Sequence, residues 1–400
     1  MISQALIIVF FNTKLDFICD YCLQTAIFLA KRNIVIVFLW PESKSLKEII
    51  INKIKNKKNL PIVWKKRNII FYQPIHFIPF RRYKFIDNIN LFINIILIQI
   101  INLFLTINKH VVMKIAWIYD FEYYLATNTL INYLKIYDCV DYLASVDKVE
   151  NKLIIKKEKS FINKVNLIFT NSSALFQLKK DQHSKVFKVP QGFNSNIFLK
   201  TKKQKKPIEL KNIPSPKIGF IGNIDHRLDF KLISQLIIKN SQWSFIFIGP
   251  IYRNPIQAKV INLDKKLKML RQLKNVFFLK KIAKRKVPAF IDNLDLGFIP
   301  YDLSQEFCRY SYPMKIFEFF ARGKPVISTP IESLIPLEPY VKIAKDAKEF
   351  EKEIKSILKN SWPKEYIKKQ KELAQANSWE NKIKKMSQIL KKEFPKNFND

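Results

Sequence analysis

Short, wholly apolar runs alternate with amphipathic stretches along most of this chain, and that rhythm admits few folds. The opening QALIIVFF gives way to the amphipathic DFICDYCLQTAIFLAKRN and then to NIVIVFLW. Apolar runs without polar alternation are strands covered on both faces, and parallel neighbours need a helical crossover between them. The pattern recurs at IIFYQPI (69–75), KIAWIY (114–119), LKIYDCV (134–140) and NLIFTNS (166–172). It restarts more sharply at KIGFIG (217–222), SFIFIGP (244–250), NVFFLK (275–280), DLGFIPY (295–301) and PVISTP (325–330). Between the two series, TKKQKKPIELKNIPSPK is basic and carries prolines, as a linker does. The expectation is an α/β protein of two facing, doubly wound, Rossmann-like domains. The boundaries read as 1–200, a linker 201–216, 217–377, and a terminal amphipathic helix with tail, 378–400.

Glycine narrows the search for a site. The chain has 6 Gly in 400 residues, and all of them (Gly192, Gly219, Gly222, Gly249, Gly297, Gly323) fall between 192 and 323. Demands for tight turns or close ligand approach therefore concentrate in the second half.

The formal charge of +37 points to an anionic partner, but it is spread as +16 over residues 1–200 and +21 over 201–400. A recognition helix or basic tail would concentrate it. A Lys-, Ile-, Asn- and Phe-rich composition also follows from an AT-rich coding sequence, and attraction to an anionic membrane surface comes second. Cys19, Cys22, Cys139 and Cys308 are too scattered for a disulfide framework, and the Cys19/Cys22 pair reads as two small core residues on a helix. A reducing cytoplasmic setting fits, and Met1–Phe11 lacks the basic start and cleavage site of a secretory signal. Ile89–Ile107 runs without a charge. On a helical wheel Asn90, Asn94, Gln99 and Asn102 share one half, opposite Phe92, Ile93, Ile96, Leu97, Ile100, Leu103 and Phe104. Such one-sidedness predicts a helix packed on a core or lying in an interface, not one spanning lipid.

Two segments carry the chemistry. In FIGNIDHRLDF (220–230), Gly222 ends a strand ahead of a helix that Asp225 or His226 could cap. Backbone N–H groups there can approach an anion, with Arg227 adding charge; the same turn also joins any βα unit. In YSYPMKIFEFFARGKPVIST (310–329), Ser311 and Pro313 suit a helix start, and Lys315 falls near it. Glu318 is one helical step from Lys315, so both can face one ligand, the carboxylate accepting from vicinal ribose hydroxyls; a simple Lys315–Glu318 ion pair is the alternative. NSWENKIKKMSQILKK (377–392) is a terminal helix with Trp379, Ile383, Met386, Ile389 and Leu390 on one face. His76 and His110 have no partner pattern, and no His/Asp/Glu metal cluster stands out.

Taken in order, NLIFTNSSALFQL, KVPQGFNSNIF, IGFIGNID, FIFIGP, NVFFLK, VPAFIDNLDLGFIPY, PMKIFEFFARGKPVIST and NSWENKI resemble successive landmarks of GT-B glycosyltransferases, specifically the retaining glycosyltransferase family 4. The opening of the chain and IYDCVDYLASV (136–146) resemble a subgroup acting in surface-polysaccharide synthesis. The resemblance implies transfer of a sugar from a nucleotide-sugar donor to a saccharide or lipid-linked acceptor with retention, without a metal or other cofactor. Glu318 matches the second Glu of the family's paired-glutamate motif, which holds the donor ribose; the position of the first is Tyr310 here. Gly222 and Asn223 match the loop approaching the donor phosphates, Arg227 and Lys315 the cations for the diphosphate, and Ser311 lies in the same motif. The first domain then binds the acceptor, and Asp120, Asp138 or Asp141, at or after strand ends, can orient its hydroxyl or take its proton. The terminal helix crosses back to the first domain. The rivals are a nucleotide-sugar epimerase or another enzyme of this fold, and a non-catalytic basic protein binding nucleic acid or membrane.

Overall fold

A computed structural model describes residues 2–11, 13, 21–54, 61–80, 82–142, 151–199, 202, 204–253 and 262–398. Cys19, Arg81 and part of the 201–216 segment lie outside the described residues. The chain forms two compact units. The first comprises Met1–Asn171, Leu175–Val189 and Trp379–Asp400, the second Ser172–Ala174 and Pro190–Ser378. Residues 190–200 group with the second unit because Phe193 and Phe198 are fully buried in its core.

The first unit is built on an eight-stranded sheet. Its order is Val186–Lys188, Leu167–Thr170, Leu134–Cys139, Met113–Ile118, Ala5–Phe10, Ile34–Phe38, Ile69–Tyr72 and Val63–Lys66. Every pairing is parallel except the last, an antiparallel edge. All six residues of Ala5–Phe10 are buried, in line with a central strand covered on both faces. The winding reverses between Ala5–Phe10 and Met113–Ile118, the crevice where such sheets take ligands.

The terminal helix Trp379–Glu393 belongs to this first unit and packs against the helix Tyr21–Leu29. Trp379 is fully buried and meets the Tyr21 ring edge-on at 4.9 Å between centroids. Ile383, Met386 and Leu390 bury the rest of the predicted face in the same core. Cys22 is 2% exposed in that core, as a small packing residue.

The helix Lys84–Thr106 packs on the first unit through Leu91, Ile95 and Ile98. It is one-sided, but its polar arc faces inward. Asn90, Asn94 and Asn102 are buried, whereas Phe92, Ile96, Ile100, Leu103 and Phe104 are exposed. Backbone accounting explains the inversion. Past the short strand Ile75–His76, the chain needs partners, and the asparagine amides supply them. Asn94 accepts from Ile75 N at 2.9 Å and donates to Ile75 O at 2.8 Å. Asn90 does the same for Ile78, at 3.0 and 2.9 Å. This helix is long and apolar enough to cross a membrane by length and composition.

The second unit holds a six-stranded, wholly parallel sheet. Its order is Val276–Leu279, Ser244–Ile248, Lys217–Ile221, Leu296–Ile299, Val326–Ser328 and Lys342–Ile343. The first strand in sequence, Lys217–Ile221, is central and the winding reverses beside it. That is the doubly wound arrangement expected of a nucleotide-binding Rossmann-like domain.

Candidate functional site

In the second unit, the winding reverses between Lys217–Ile221 and Leu296–Ile299, so Gly222 and Tyr301 leave the sheet side by side at its carboxyl edge. Gly222 takes φ +146° and donates its N–H to Ile248 O at 2.9 Å. Gly249, which ends the neighbouring strand at φ +149°, lies so close that a Cβ on it would be 2.0 Å from Gly222 O. Two glycine turns thus pack backbone to backbone, an approach that side chains would block.

Lys315 opens the helix Lys315–Ala321 and reaches over this edge. Its Nζ donates to the Tyr301 hydroxyl at 2.9 Å and lies 4.0 Å from the Phe220 ring centroid. Among the described residues no carboxylate forms an ion pair with it. Burial pushes the ammonium down to about 7, and the Arg227 guanidinium pushes the same way, against Asp225 and Glu318. The result is a preorganised cation held by rings and a hydroxyl, ready for an anion.

Arg227 sits in the same loop but is already engaged. Its Nε and Nη2 clamp Asp225, with Nη2 to Oδ2 at 2.6 Å, and Asp225 is 2% exposed. The helix Phe230–Lys239 is capped by Asp229, which accepts from Leu232 N at 2.9 Å, so neither Asp225 nor His226 is the cap. Asn223 Oδ1 and His226 Nδ1 are buried in this loop without a hydrogen-bond partner among the described residues.

Glu318 lies on the first turns of the Lys315 helix and is 5% exposed. Its partner is Lys284, from the short 3-10 turn Lys284–Lys286, and not Lys315. Ser311 does not cap the Lys315 helix. It ends the preceding helix Glu306–Tyr310, its Oγ donating to Cys308 O at 2.7 Å, because Met314 stands at the cap position.

In the first unit Asp120 follows Met113–Ile118 at the reversal of winding and caps the 3-10 turn Phe121–Tyr123 by accepting from Glu122 N at 2.9 Å. Burial pushes its carboxyl up to about 6, although the Glu122 N–H stabilises the charged form. Asp138 is 1% exposed, accepting from Tyr21 OH at 3.1 Å and Trp117 Nε1 at 3.0 Å. Burial raises its carboxyl, opposed by Lys382 of the terminal helix. Enclosed in this way, Asp138 joins core elements and does not face an acceptor. Asp141 lies just past its strand, where its carbonyl accepts from Cys139 Sγ at 3.8 Å. His76 is buried against Ser43 Oγ at 2.7 Å, and His110 is exposed. Among the described residues no cluster of three or more His, Cys, Asp or Glu could hold a metal.

Sequence reasoning missed Tyr301 and Lys284, and read Asp225 as a cap where it is the partner of Arg227. Tyr301 carried a signal, since it directly follows the DLGFIP strand at the carboxyl edge. Lys284 carried none: it is 34 residues from Glu318, in one of many lysine-rich stretches.

Residues 215–360 match the family model described as glycosyl transferases group 1. A Bacillus subtilis (strain 168) protein, by name a teichuronic acid biosynthesis glycosyltransferase, TuaH, is 28% identical over 219 residues, 52% of this chain and 53% of its own length. The match thus spans about half the length of that curated relative. Sucrose-phosphate synthase from Thermosynechococcus elongatus superposes with TM-score 0.70 at 14% identity, covering 98% of this chain and 99% of its own. The Anabaena protein HepE in complex with UDP and glucose gives 0.66 at 11% identity, over 97% and 99%. Trehalose-6-phosphate from E. coli bound with UDP-2-fluoro glucose gives 0.68 at 12% identity, over 96% and 99%. The chain has the GT-B fold, and residues 215–360 of its second unit are similar to the group 1 glycosyl transferases.

Proposed function

We propose that this protein transfers a sugar from a nucleotide-sugar donor, a UDP-sugar in the first instance, to a saccharide or lipid-linked acceptor in surface-polysaccharide synthesis. It does so with retention of anomeric configuration, on the cytoplasmic side of an anionic membrane surface. The observation that carries the reading is Lys315: a cation with no carboxylate partner among the described residues, fixed beside Gly222 where a doubly wound sheet takes ligands. The TuaH name supports the acceptor class, and the UDP complexes of the fold relatives support the base.

In this reading the Gly222–Asn223 loop approaches the diphosphate and Asn223 Oδ1 gains a donor from the ligand. Lys315 neutralises the charge that grows on the diphosphate as the bond to the anomeric carbon breaks, with Arg227 contributing while it holds Asp225. Glu318 accepts from the ribose hydroxyls, its carboxylate oriented by Lys284. Asp120 orients the acceptor hydroxyl or accepts its proton, a task suited to a carboxyl near 6. Ser311 and Asp138 receive no reactive part, because both are committed to local hydrogen bonds; Asp141 is, after Asp120, the second candidate for that task.

The test is nucleotide release from a panel of UDP-, GDP-, ADP- and CMP-sugars, with membrane lipid extract as acceptor source. Release of one nucleotide coupled to labelled sugar in the product supports the reading. Sugar transfer from none of them contradicts it.

A further inference from the structure

We infer that the outward face of the helix Lys84–Thr106 is a membrane-contacting surface that lies in the plane of an anionic bilayer, with its asparagine face held by the protein. The inference deepens the proposed work at a membrane surface by naming the element that makes the contact. Phe85, Phe92, Ile96, Ile100, Leu103 and Phe104 form one exposed stripe, which Ile107 continues past the helix end. Phe85 is 74% and Phe104 73% exposed, whereas scattered exposed apolar side chains on a soluble protein rarely line up over six helical turns.

The helix cannot turn this stripe inward. Asn90 and Asn94 are bonded to the backbone of Ile78 and Ile75, Asn94 also accepts from Tyr72 OH at 2.7 Å, and Asn102 donates to Tyr133 OH at 2.9 Å. The same bonds oppose a spanning role, since crossing lipid would expose three amides to hydrocarbon and strip the 75–78 segment of its partners.

Charge identifies the occupant. Asp87 is the one acidic residue of the helix, and its Oδ1 is buried. Cations flank the stripe at both ends. Arg82 stacks on Tyr83 at the start, beside Lys84, whose partner is Glu122. Just beyond Ile107, Lys109 lines an open hollow together with Lys31, Arg32 and Lys65. An apolar stripe ended by cations matches the headgroup and acyl layers of an anionic bilayer, the arrangement of in-plane amphipathic anchors.

The experiment is flotation of the full chain with phosphatidylcholine vesicles containing or lacking phosphatidylglycerol, without donor. Stronger binding to the anionic vesicles is expected. Leu103→Asp/Phe104→Asp should weaken it by about thirtyfold or more, with melting temperature and UDP-sugar binding kept. A fluorophore placed in turn at Phe85→Cys, Ile96→Cys and Leu103→Cys should report one shallow depth from lipid-borne quenchers. Unchanged vesicle binding by the double variant overturns the proposal. So does a deep position 96 between shallow ends, the mark of a spanning helix. A stable dimer that ignores vesicles and dissociates in the double variant also overturns it, making a second copy the occupant. Because binding is read without turnover, loss of sugar transfer alone would bear on the enzymatic reading and leave this one intact.

Discussion

Lys315 Nζ stands 2.9 Å from the point that a Cβ on Gly222 would occupy. The lysine fills the space that the missing side chain leaves, and the φ of +146° at Gly222 is a conformation that other residues rarely adopt. Gly222→Ala should therefore cost about 1–3 kcal/mol in stability and displace the ammonium from Tyr301. Chemical denaturation and donor titration of the same sample check both effects. Unchanged stability and unchanged affinity would show that the loop is not constrained in this way.

The depressed lysine sets a pH dependence. Below about 7 the Lys315 ammonium is charged in the free protein, and as pH rises through that value the charge is lost. A bound diphosphate favours the charged form, so donor binding takes up a proton and weakens as pH rises. Calorimetry with a UDP-sugar, whose diphosphate diester does not titrate near neutrality, should show affinity falling above about 7, and heats that depend on the buffer. Lys315→Met should flatten this dependence.

Glu318→Ala should weaken UDP-sugar binding by about tenfold to a hundredfold, the worth of one or two charge-assisted hydrogen bonds to a ribose. Lys284→Ala should cost less than about tenfold, because Lys284 is 38% exposed and only orients the carboxylate. Equal losses in the two variants would mean that the ion pair, and not the carboxylate, meets the donor.

Trp379→Ala should destabilise the first unit by about 3–5 kcal/mol, since it empties a fully buried site against Tyr21. Hydrogen exchange should then speed up in Ala5–Phe10 and Met113–Ile118. Unchanged exchange in those strands would show that the terminal helix does not support that sheet.

The sequence revealed those features that depend on local pattern. The inner strands of both sheets, the glycine turn at Gly222, the apolar face of the terminal helix from Trp379 and the positions of Lys315 and Glu318 all follow from runs, spacing and turn residues, whereas the edge strands Val63–Lys66 and Lys342–Ile343 do not. What it concealed depends on partners far along the chain. Arg227 looks like a free cation until Asp225 is seen clamped by it, and Glu318 looks like a partner for Lys315 until Lys284 arrives from another turn. The wheel for Ile89–Ile107 separated the two faces but carried no sign of which one turns inward. The backbone of Ile75 and Ile78 decided that, because unpaired peptide groups cost more than exposed apolar side chains.

The central claim is that the carboxyl edge of the second unit holds a nucleotide diphosphate on Lys315 and Glu318. Titration calorimetry of UDP into the wild type, Lys315→Met and Glu318→Ala, with GDP, ADP and CMP as comparisons, tests it most directly. The account predicts saturable binding of UDP above the other nucleotides, weakened at least about tenfold in each variant. Wild-type affinity retained by both variants, or heat from none of the nucleotides, would contradict it.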